Sequence, residues 1–358
     1  MGTGGLIING RFFKRRVSGV ERYAQGLIRH LDMSYKFEQP PKWWQRGLRG
    51  HLWEQIILPL RVGGNLLWSP ANSGPLAVTN QVVTICDTSV IDHPEWFNPG
   101  YAAWYRFLLP RLARKARKIF TPSDFSKNCL IKAFKLAPEK IAVIPPGVDH
   151  THFRPASAPI LAQARDQLGL PEKYLLFLSS LEPRKNLTRL FQAWRQVSAH
   201  FSDVKLVVAG GTGPAFSAQN QPIEVADTYF LGYVHEDYLA PLFSGAQAFI
   251  LPSLSEGFGL PAVEAMACGT PVIASNAGAL EEVISDAGLM FDPLDIGEIA
   301  HTIYKVLSDG YLRADLKEKG MKRAEKFSWQ SAAASISREL QEFVPAAKDW
   351  QPWSESLE

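Results

Sequence analysis

The sequence predicts an α/β protein of two domains, each containing a parallel β-sheet covered by helices on both faces. Short apolar runs rich in β-branched residues alternate with longer amphipathic segments along the chain, and this alternation is typical of parallel sheets with crossover helices. The pattern stops in a proline-rich stretch near 145–160 and then starts again. The 358 residues also exceed the size of one ordinary core. We therefore expect one domain over 1–150 and a second over 160–327.

The first half contains five predicted strands and two clear helices. Helices are predicted over 18–31 and 123–134, and Ser123 is the expected N-cap of the second. The strands are predicted over 5–10, 65–68, 82–86, 118–123 and 141–147.

The second half repeats this pattern. Its strands are predicted over 174–180, 205–211, 228–234, 248–253 and 271–275. The intervening helices are predicted over about 187–201, 237–245, 261–268, 279–285 and 297–308. A last helix over 328–344 follows the second sheet and could pack on either domain.

Charge is distributed unevenly along the chain. Residues 1–150 carry a net charge of +11, and the remainder carries −8. The basic half is expected to meet an anion, which could be a phosphorylated substrate, a membrane surface or nucleic acid, unless the two halves attract each other. No apolar run is long enough to span a membrane. Three widely spaced cysteines and the absence of a secretory pattern at the N-terminus favour a reducing, cytoplasmic compartment.

Two loops that follow predicted strands of the second half suit phosphate. In "SSLEPRKNL" (179–187), Arg184 and Lys185 supply the charges that a diphosphate requires, and Asn186 is the expected N-cap of the next helix. In "VVAGGTGP" (207–214), Gly210 and Gly211 would let the backbone approach a ligand closely, although this signal is weak alone.

A third loop combines glycines with two acids. In "SEGFGLPAVEAMACG" (255–269), Glu256 lies in a turn and Glu264 lies inside the helix that follows. The carboxylates would repel a phosphate and should therefore bind hydroxyl groups, which a nucleotide sugar offers on both sides of its diphosphate. The turn is expected to place amides near a positive helix end, where they can bind an anion. These positions are Gly257, Phe258, Gly259 and Leu260, followed by Pro261 at the expected first helical position.

These segments resemble the retaining glycosyltransferases of the GT-B fold, family GT4. "EGFGLPAVE" is similar to the E-x7-E motif of that family, and "PSDFSK", "SLEPRKNL", "VVAGGTGP", "PPGVD" and "FSW" occur in the expected order. The resemblance implies two Rossmann-like domains facing a cleft, with acceptor bound mainly by the first and nucleotide sugar mainly by the second. It also implies that the last helix, about 329–344, packs back on the first domain.

The resemblance assigns roles to residues of this sequence. Glu264 would bind the ribose, Arg184 and Lys185 the diphosphate and the developing leaving-group charge, and Glu256 the donor hexose. The remaining donor-binding positions carried over are Gly19, Gly210, Gly211, Val234, Gly257, Phe258, Gly259 and Leu260. Retention would follow a front-face path in which the leaving phosphate helps to deprotonate the acceptor.

One departure affects the first domain, where many relatives have a His-Asp pair. Here Cys86 stands at the histidine position, and Asp87, a candidate catalytic residue, remains. The missing imidazole would normally contact the donor sugar. No D-x-D motif lies near the candidate site, so we expect no cofactor and no metal requirement, with Arg184 and Lys185 neutralising charge.

The acceptor is expected to be a glycan or a polyprenyl-diphosphate-linked sugar. Tryptophans alternate with bases in "PPKWWQRGLRGHLWEQ" (40–55), and a predicted helix carries the basic run 111–118. Such a surface suits an anionic membrane, which would place the protein at the inner face of the plasma membrane. The alternative is a local tryptophan cluster with solvated charges. The residues proposed for this contact are Lys42, Trp43, Trp44, Arg46, Arg114 and Lys115.

The leading interpretation is hexose transfer from UDP-glucose or GDP-mannose in surface polysaccharide assembly. The alternatives are a nucleotide-sugar-binding protein without catalysis, which the Cys86 departure keeps open, and a GT-B nucleotide-sugar epimerase. A nucleic-acid partner is not expected, because Glu256, Glu264 and the glycine loops would then have no role.

Overall fold

A computed structural model describes residues 4–13, 19–45, 47–211 and 226–344. The chain divides into two compact units. The first contains the chain up to Asp92, then Gly100–Gly147, and the chain from Trp329 onward. The second contains His93–Pro99 and Val148–Ser328.

The first unit is built on a six-stranded sheet in which all neighbouring strands are parallel, in the order β2-β1-β3-β4-β5-β6. All five predicted strands are confirmed. The strand β2 was missed because it lies at an edge and its residues, YKFE, form no continuous apolar run. The strands are β1 (Leu6–Asn9), β2 (Tyr35–Glu38), β3 (Leu66–Ser69), β4 (Gln81–Thr84), β5 (Lys118–Thr121) and β6 (Ile141–Val143).

The described residues of the first half of the chain form six α-helices. Both predicted helices are confirmed, and the Ser123 side chain caps the last of the six by accepting a hydrogen bond from the Ser126 amide at 3.0 Å. A π-helical turn, Trp53–Ile57, joins the second and third helices. The helices are α1 (Gly19–Arg29), α2 (Gly47–Leu52), α3 (Leu58–Val62), α4 (Ser89–Asp92), α5 (Pro99–Lys115) and α6 (Asp124–Phe134).

The helix predicted to carry the whole basic run 111–118 ends earlier than expected. Helix α5 ends at Lys115, and Lys118 is the first residue of β5. The Lys118 Nζ lies 2.8 Å from a carboxylate oxygen of Glu339. The helix ends there because the chain must turn into a strand that pairs with β4.

The second unit contains another all-parallel six-stranded sheet, in the order β12-β11-β10-β7-β8-β9. Five of its strands were predicted, and the partly exposed edge strand β12 was missed. The strands are β7 (Lys173–Leu178), β8 (Val204–Ala209), β9 (Thr228–Gly232), β10 (Ala248–Leu251), β11 (Val272–Ser275) and β12 (Gly288–Phe291).

Helices cover the second sheet, and a last helix returns to the first unit. The helix α7 was missed because it begins in the stretch interpreted as a linker and buries only Ala164, and α13 was missed because it is mostly polar. The helices are α7 (Ala158–Leu168), α8 (Leu187–Val197), α9 (Leu239–Ser244), α10 (Leu260–Ala267), α11 (Leu280–Ile284), α12 (Ile296–Ser308), α13 (Gly310–Ala324) and α14 (Trp329–Gln341). Helix α14 contacts α1, where the Trp329 ring lies 6.3 Å from that of Tyr23.

The strand order locates the ligand-binding edge of the second unit. In the second sheet β7 and β10 are neighbours although β8 and β9 come between them in the chain. Strands β8 and β9 are therefore added on one side of β7, and β10 to β12 on the other side. Open parallel sheets bind ligands at the carboxyl ends of their strands at the point where the order changes in this way. The loops that follow β7 and β10 carry Arg184, Lys185 and Glu256.

Candidate functional site

The loops after β7 and β10 are joined to each other by hydrogen bonds. A single 3₁₀ turn, Pro183–Lys185, follows β7. The carbonyl oxygen of Arg184 accepts a hydrogen bond from the Leu254 amide at 2.7 Å, and its Nη1 donates to the Ser255 carbonyl oxygen at 3.3 Å. The two loops therefore form one structure at the edge where the sheet order reverses.

Two acids and two bases form a compact charge cluster at this junction. Lys185 Nζ lies 2.5 Å from Glu256 Oε1, and Arg184 Nη1 lies 3.4 Å from Glu256 Oε2. Arg184 Nε also donates to Glu182 Oε1 at 2.9 Å, and Lys185 Nζ lies 3.8 Å from the same oxygen. The formal charges of the four side chains cancel. The arrangement orients both bases, whereas an exposed loop would leave them free to rotate.

Burial makes this cluster sensitive to any loss of charge. The side chains of Lys185 and Glu256 are 6% and 8% exposed, that of Arg184 is 16% exposed, and Glu182 is fully buried. Burial alone would raise the pKa of the Glu256 carboxyl, but the Lys185 and Arg184 cations outweigh burial and hold that pKa below its ordinary value. Glu256 is therefore ionised in the folded protein at neutral pH.

Glu182 and Ser253 support the cluster, and neither was predicted from the sequence. Ser253 donates a hydrogen bond to Glu256 Oε1 at 2.7 Å, and Ser180 donates to Glu182 Oε1 at 3.0 Å. Glu182 is the acid of "EPRKN", directly before the turn that carries both bases. An acid beside two bases in a loop after a buried strand was the signal that could have identified it.

Asn186 does not cap α8 as predicted. It occupies the N-cap position, but its backbone is left-handed at φ 60° and its side chain makes no capping hydrogen bond. Its Nδ2 donates instead to the carbonyl oxygens of Pro252 and Pro293, at 3.0 and 2.7 Å. Asn186 therefore connects the loop after β7 to the loops after β10 and β12, while its Oδ1 accepts a hydrogen bond from Arg189 of α8 at 3.0 Å.

The glycine-rich turn after β10 leads into α10 as the sequence predicted, with a shift of one residue. The helix starts at Leu260, so Pro261 is its second residue, and Gly259 adopts a left-handed conformation at φ 91°. Among the described residues, none accepts a hydrogen bond from the amides of Phe258, Gly259 and Leu260. Amides of this kind at a helix N-terminus stabilise an anion.

The second acid of the motif is inside the helix. Glu264 lies on α10 and is 2% exposed. Burial and the nearby Glu264 carboxylate raise the pKa of the Cys268 thiol to about 12. The assignment of Glu264 to a ribose remains a prediction.

A glycine that the sequence analysis did not single out lies directly against Glu256. Gly278, in the turn after β11, has φ 72°, and a Cβ there would lie 2.4 Å from the Glu256 carbonyl oxygen. The Glu256 carbonyl accepts a hydrogen bond from the next residue, Ala279, at 2.9 Å. The close backbone approach fixes the position of the acid, and any larger residue would displace it.

Gly210 allows a similarly close backbone approach next to the loop after β7. It has φ 130°, and a Cβ there would lie 1.8 Å from the Ser179 carbonyl oxygen. The neighbouring Gly211 carbonyl accepts a hydrogen bond from Leu181 at 3.1 Å. Val234, the last carried-over position of this unit, is buried in the turn after β9. The rest of the "GGTG" turn lies outside the described residues.

The remaining catalytic and donor-binding candidates lie in the first unit. Asp87 follows β4, and its Oδ1 accepts a hydrogen bond from the Ser89 amide at 2.9 Å. Burial raises the pKa of the Cys86 thiol far above its ordinary value, with smaller contributions from Asp87 and Glu21. Cys86 therefore cannot supply the proton chemistry of an imidazole at neutral pH. Gly19 is the first residue of α1, and a Cβ there would meet no atom within 4 Å.

A buried polar network in the first unit was not expected from the sequence. Arg11, after β1, pairs with Glu54 in the π-helical turn at 3.1 Å, with side chains 4% and 1% exposed. Asn9 donates to Glu54 at 2.8 Å, and Ser73 accepts from Arg11 at 3.1 Å. This network holds the π-helical turn against the carboxyl end of β1.

The residues proposed for acceptor or membrane contact are only partly surface residues. Trp43 is 68% exposed, whereas Trp44 is half-buried and packs against a core cluster that contains the fully buried Trp53. The Trp43 and Trp44 rings lie 5.3 Å apart. Lys42 is exposed, and so are Arg114 and Lys115 at the end of α5. Arg46 lies outside the described residues.

The described ranges hold neither a candidate metal site nor a membrane-spanning helix. They contain no group of three or more His, Cys, Asp or Glu side chains placed to hold a metal ion. None of the helices there has the length and apolar character needed to cross a bilayer.

Comparison with known proteins gives two family matches. Residues 162–323 match the model described as glycosyl transferases group 1, and residues 70–152 match the model described as glycosyltransferase family 4. An O-antigen chain mannosyltransferase B of Escherichia coli is 30% identical, over 72% of this chain and 69% of that protein. An MMP alpha-(1->4)-mannosyltransferase of Mycolicibacterium hassiacum is 33% identical, over 67% of this chain and 58% of its own length. The chain thus spans less than two thirds of the second relative.

Solved structures show the same architecture. HepE of Anabaena, solved in complex with UDP-glucose, has a TM-score of 0.73 at 19% identity and covers 94% of this chain and 99% of its own. WaaG, a glycosyltransferase involved in lipopolysaccharide biosynthesis, has a TM-score of 0.71 at 15% identity, covering 96% and 100%. The family models and the Escherichia coli relative show that the chain belongs to glycosyltransferase family 4, the glycosyl transferases group 1, and these structures, together with the two parallel six-stranded sheets, show that it has the GT-B fold.

Proposed function

We propose that this protein transfers a hexose from a nucleotide-diphosphate sugar to a glycan or lipid-linked glycan, with retained configuration, in surface polysaccharide biosynthesis. The second unit would bind the donor and the first unit the acceptor. The observation that carries the proposal is the oriented pair of bases, Arg184 and Lys185, at the point where the strand order of the second sheet reverses. A leaving diphosphate needs positive groups that are already positioned when charge develops on it.

The groups around this point can be assigned to parts of the donor. The diphosphate would contact Arg184, which is the more exposed of the two bases, together with the amides of Phe258, Gly259 and Leu260. Glu256 would hold both bases in place and accept a hydrogen bond from a hexose hydroxyl, and Glu264 would bind the ribose.

The proposed reaction breaks the bond between the anomeric carbon and the diphosphate oxygen. The acceptor hydroxyl forms its bond to that carbon on the same face, and its proton passes to the leaving phosphate. Arg184 stabilises the negative charge that remains on the nucleoside diphosphate. Asp87 of the first unit is a candidate contact for the sugar at this step.

GDP-mannose and UDP-glucose are the two donors that we propose to test. Mannose is favoured by the two relatives compared above, both of which are named mannosyltransferases. Glucose is favoured by the complex of HepE with UDP-glucose. We further propose that no metal is required and that the enzyme works in the cytoplasm, at the inner face of the plasma membrane, where a polyprenyl-diphosphate-linked acceptor would be found.

A thermal-shift panel tests the donor. The protein would be heated with UDP, GDP or ADP, and with their glucose or mannose conjugates, in EDTA and again with magnesium. A ligand at about 100 times its Kd adds about 2.7 kcal/mol to the stability of the folded state. One base that raises Tm in EDTA would support the proposed site, and no shift with any nucleotide would contradict it.

Turnover separates the enzyme from a binding protein without catalysis. That alternative is kept open by Cys86, whose buried thiol cannot replace the family histidine. Release of nucleoside diphosphate with an α-linked product, identified by NMR from an α-configured donor, would support retaining transfer. If the protein binds the donor but releases no nucleoside diphosphate, either with an acceptor or by hydrolysis, the binding protein would be favoured.

A further inference from the structure

The helical segment 47–62 of the first unit exposes a row of large apolar side chains. Leu48 is 82% exposed, Leu52 50%, Ile56 56% and Leu60 80%. We call these four residues the apolar stripe. Trp43, which is 68% exposed, precedes the segment. A contiguous apolar surface of this kind marks an interaction site, whereas single exposed leucines do not.

The stripe lies on one face because of the π-helical turn in the middle of the segment. Residues four apart drift by about 40° per step around a regular α-helix, so a row of four would spiral around it. The wider turn at Trp53–Ile57 offsets this drift. The row from Leu48 to Leu60 then extends for roughly 18 Å along the axis, at about 1.5 Å per residue.

The segment cannot rotate to bury its stripe, because its opposite face is fixed in the core. Trp53, Leu58 and Val62 belong to a buried cluster, and Glu54 is held by the ion pair with Arg11 at 3.1 Å. Turning the stripe inward would expose Trp53 and break a buried ion pair. The exposed leucines are therefore a fixed feature of the folded unit.

Charge around the stripe indicates its partner. Lys42, shortly before the segment, and Arg49, next to Leu48 in the chain, are exposed, whereas the acid of the segment, Glu54, is buried and paired. Helix α5 packs against the segment, where the His51 and Trp104 rings lie 5.4 Å apart. Further along α5, Phe107 is 45% exposed, and the Arg111 guanidinium lies 3.9 Å above its ring.

We infer that the apolar stripe docks on a lipid bilayer that contains anionic phospholipids. The leucines and isoleucine would enter the boundary between head groups and acyl chains, while Lys42 and Arg49 contact phosphates, as amphipathic helices with basic flanks do. Of the tryptophan-rich surface expected from the sequence, Trp53 lies in the core and Trp44 is half-buried, whereas Trp43 is exposed. In this proposal the stripe, together with Trp43, supplies the apolar contact with the membrane. This inference rests on the proposed function in one respect, because a lipid-linked acceptor would give the protein a reason to bind a membrane.

Vesicle flotation with the 358-residue chain tests the inference. The wild type should float with vesicles of phosphatidylcholine and phosphatidylglycerol, and much less with phosphatidylcholine alone. The double variant Leu48→Ser/Leu60→Ser should bind the anionic vesicles at least about tenfold more weakly, because two apolar side chains no longer enter the bilayer. The matched control is Ile160→Ser/Tyr311→Ser, which changes two exposed apolar residues of the second unit and should bind as the wild type does.

Three results would overturn the inference. The first is that the wild type does not float with anionic vesicles, and the second is that the stripe variant floats as well as the wild type. The third is that the wild type is a dimer in solution whereas the stripe variant is a monomer. The last would make the stripe an interface between copies of the chain. Donor turnover with a water-soluble acceptor, measured on the same variants, separates the two proposals. Lost vesicle binding with intact turnover concerns the membrane alone, and absent turnover with intact vesicle binding contradicts the proposed function alone.

Discussion

Replacing Glu256 by glutamine should destabilise the second unit, whether or not Glu256 takes part in catalysis. The substitution keeps the size of the side chain but removes its charge, which lies 2.5 Å from Lys185 Nζ in a site where both side chains are less than a tenth exposed. Two bases would then share the single carboxylate of Glu182. Breaking a buried ion pair from one side costs about 3–5 kcal/mol, which in a unit of this size lowers Tm by roughly 10 °C.

A double-mutant cycle distinguishes lost charge pairing from other damage. Lys185→Met should also destabilise, because it leaves Glu256 with Arg184 and Ser253 as partners. The double variant Glu256→Gln/Lys185→Met leaves no uncompensated charge in this pair, so its cost should fall short of the sum of the single costs by about 2 kcal/mol. Differential scanning calorimetry in EDTA, without nucleotide, measures the three variants under one condition. Additive costs would refute the view that these two residues form a coupled pair.

The pH dependence of the same difference gives a second check. Because the folded state holds the pKa of Glu256 below its ordinary value of 4.5, ionised Glu256 stabilises the folded protein above that value. This stability is lost as the pH falls through the lower, folded-state pKa. The stability difference between wild type and Glu256→Gln should therefore be constant near neutrality and shrink below about pH 4.5. A difference that stays the same down to the acid unfolding of the protein would contradict the assignment.

Two further predictions concern the support of the bases. Gly210→Ala should cost about 3 kcal/mol or more, because its Cβ would lie 1.8 Å from the Ser179 carbonyl oxygen at φ 130°. Gly169→Ala, at φ 62° with open space around it, should cost only about 1–2 kcal/mol, and calorimetry compares the two. Glu182→Gln should weaken nucleotide binding, because Arg184 Nε loses the charge of its partner at 2.9 Å. Calorimetric titration with the stabilising nucleotide would show this, and an unchanged Kd in a folded variant would argue against an orienting role.

The sheet strands that the sequence predicted are those with a periodic or continuous apolar signal. The interior strands of both units, such as "AFIL" in β10, are fully buried and bounded by turns. The edge strand β2 mixes charged and aromatic residues, YKFE, so its signal was too weak. The edge strand β12, GLMF, is an apolar run that the sequence-based prediction overlooked. The segment 47–62 was missed for another reason, since its exposed and buried faces are both apolar and its π-helical turn breaks the usual helical period.

At the candidate site, the sequence predicted which residues come together but not how they are paired. Arg184, Lys185 and Glu256 were assigned from loops that follow buried strands, and strand adjacency then brought these loops into contact. Glu182 lies in the same loop as both bases and could have been identified. The pairing of the bases with Glu256 and the approach of Gly278 to Glu256 depend instead on contacts between loops distant in the chain. No spacing rule along one sequence reports such contacts.

The pairing changes what a test for metal dependence would mean. Arg184 and Lys185 were expected to neutralise the diphosphate, yet each lies within 4 Å of a carboxylate oxygen, and the cluster as a whole carries no formal charge. Attraction for a ligand with about two negative charges must then come from the orientation of Arg184 and from the helix-terminal amides of Phe258, Gly259 and Leu260. We expect this to suffice, so that nucleotide raises Tm equally in EDTA and in magnesium. A shift seen only with magnesium would mean that Glu182 and Glu256 cancel the two bases, and that the missing positive charge arrives with the ligand as a metal complex.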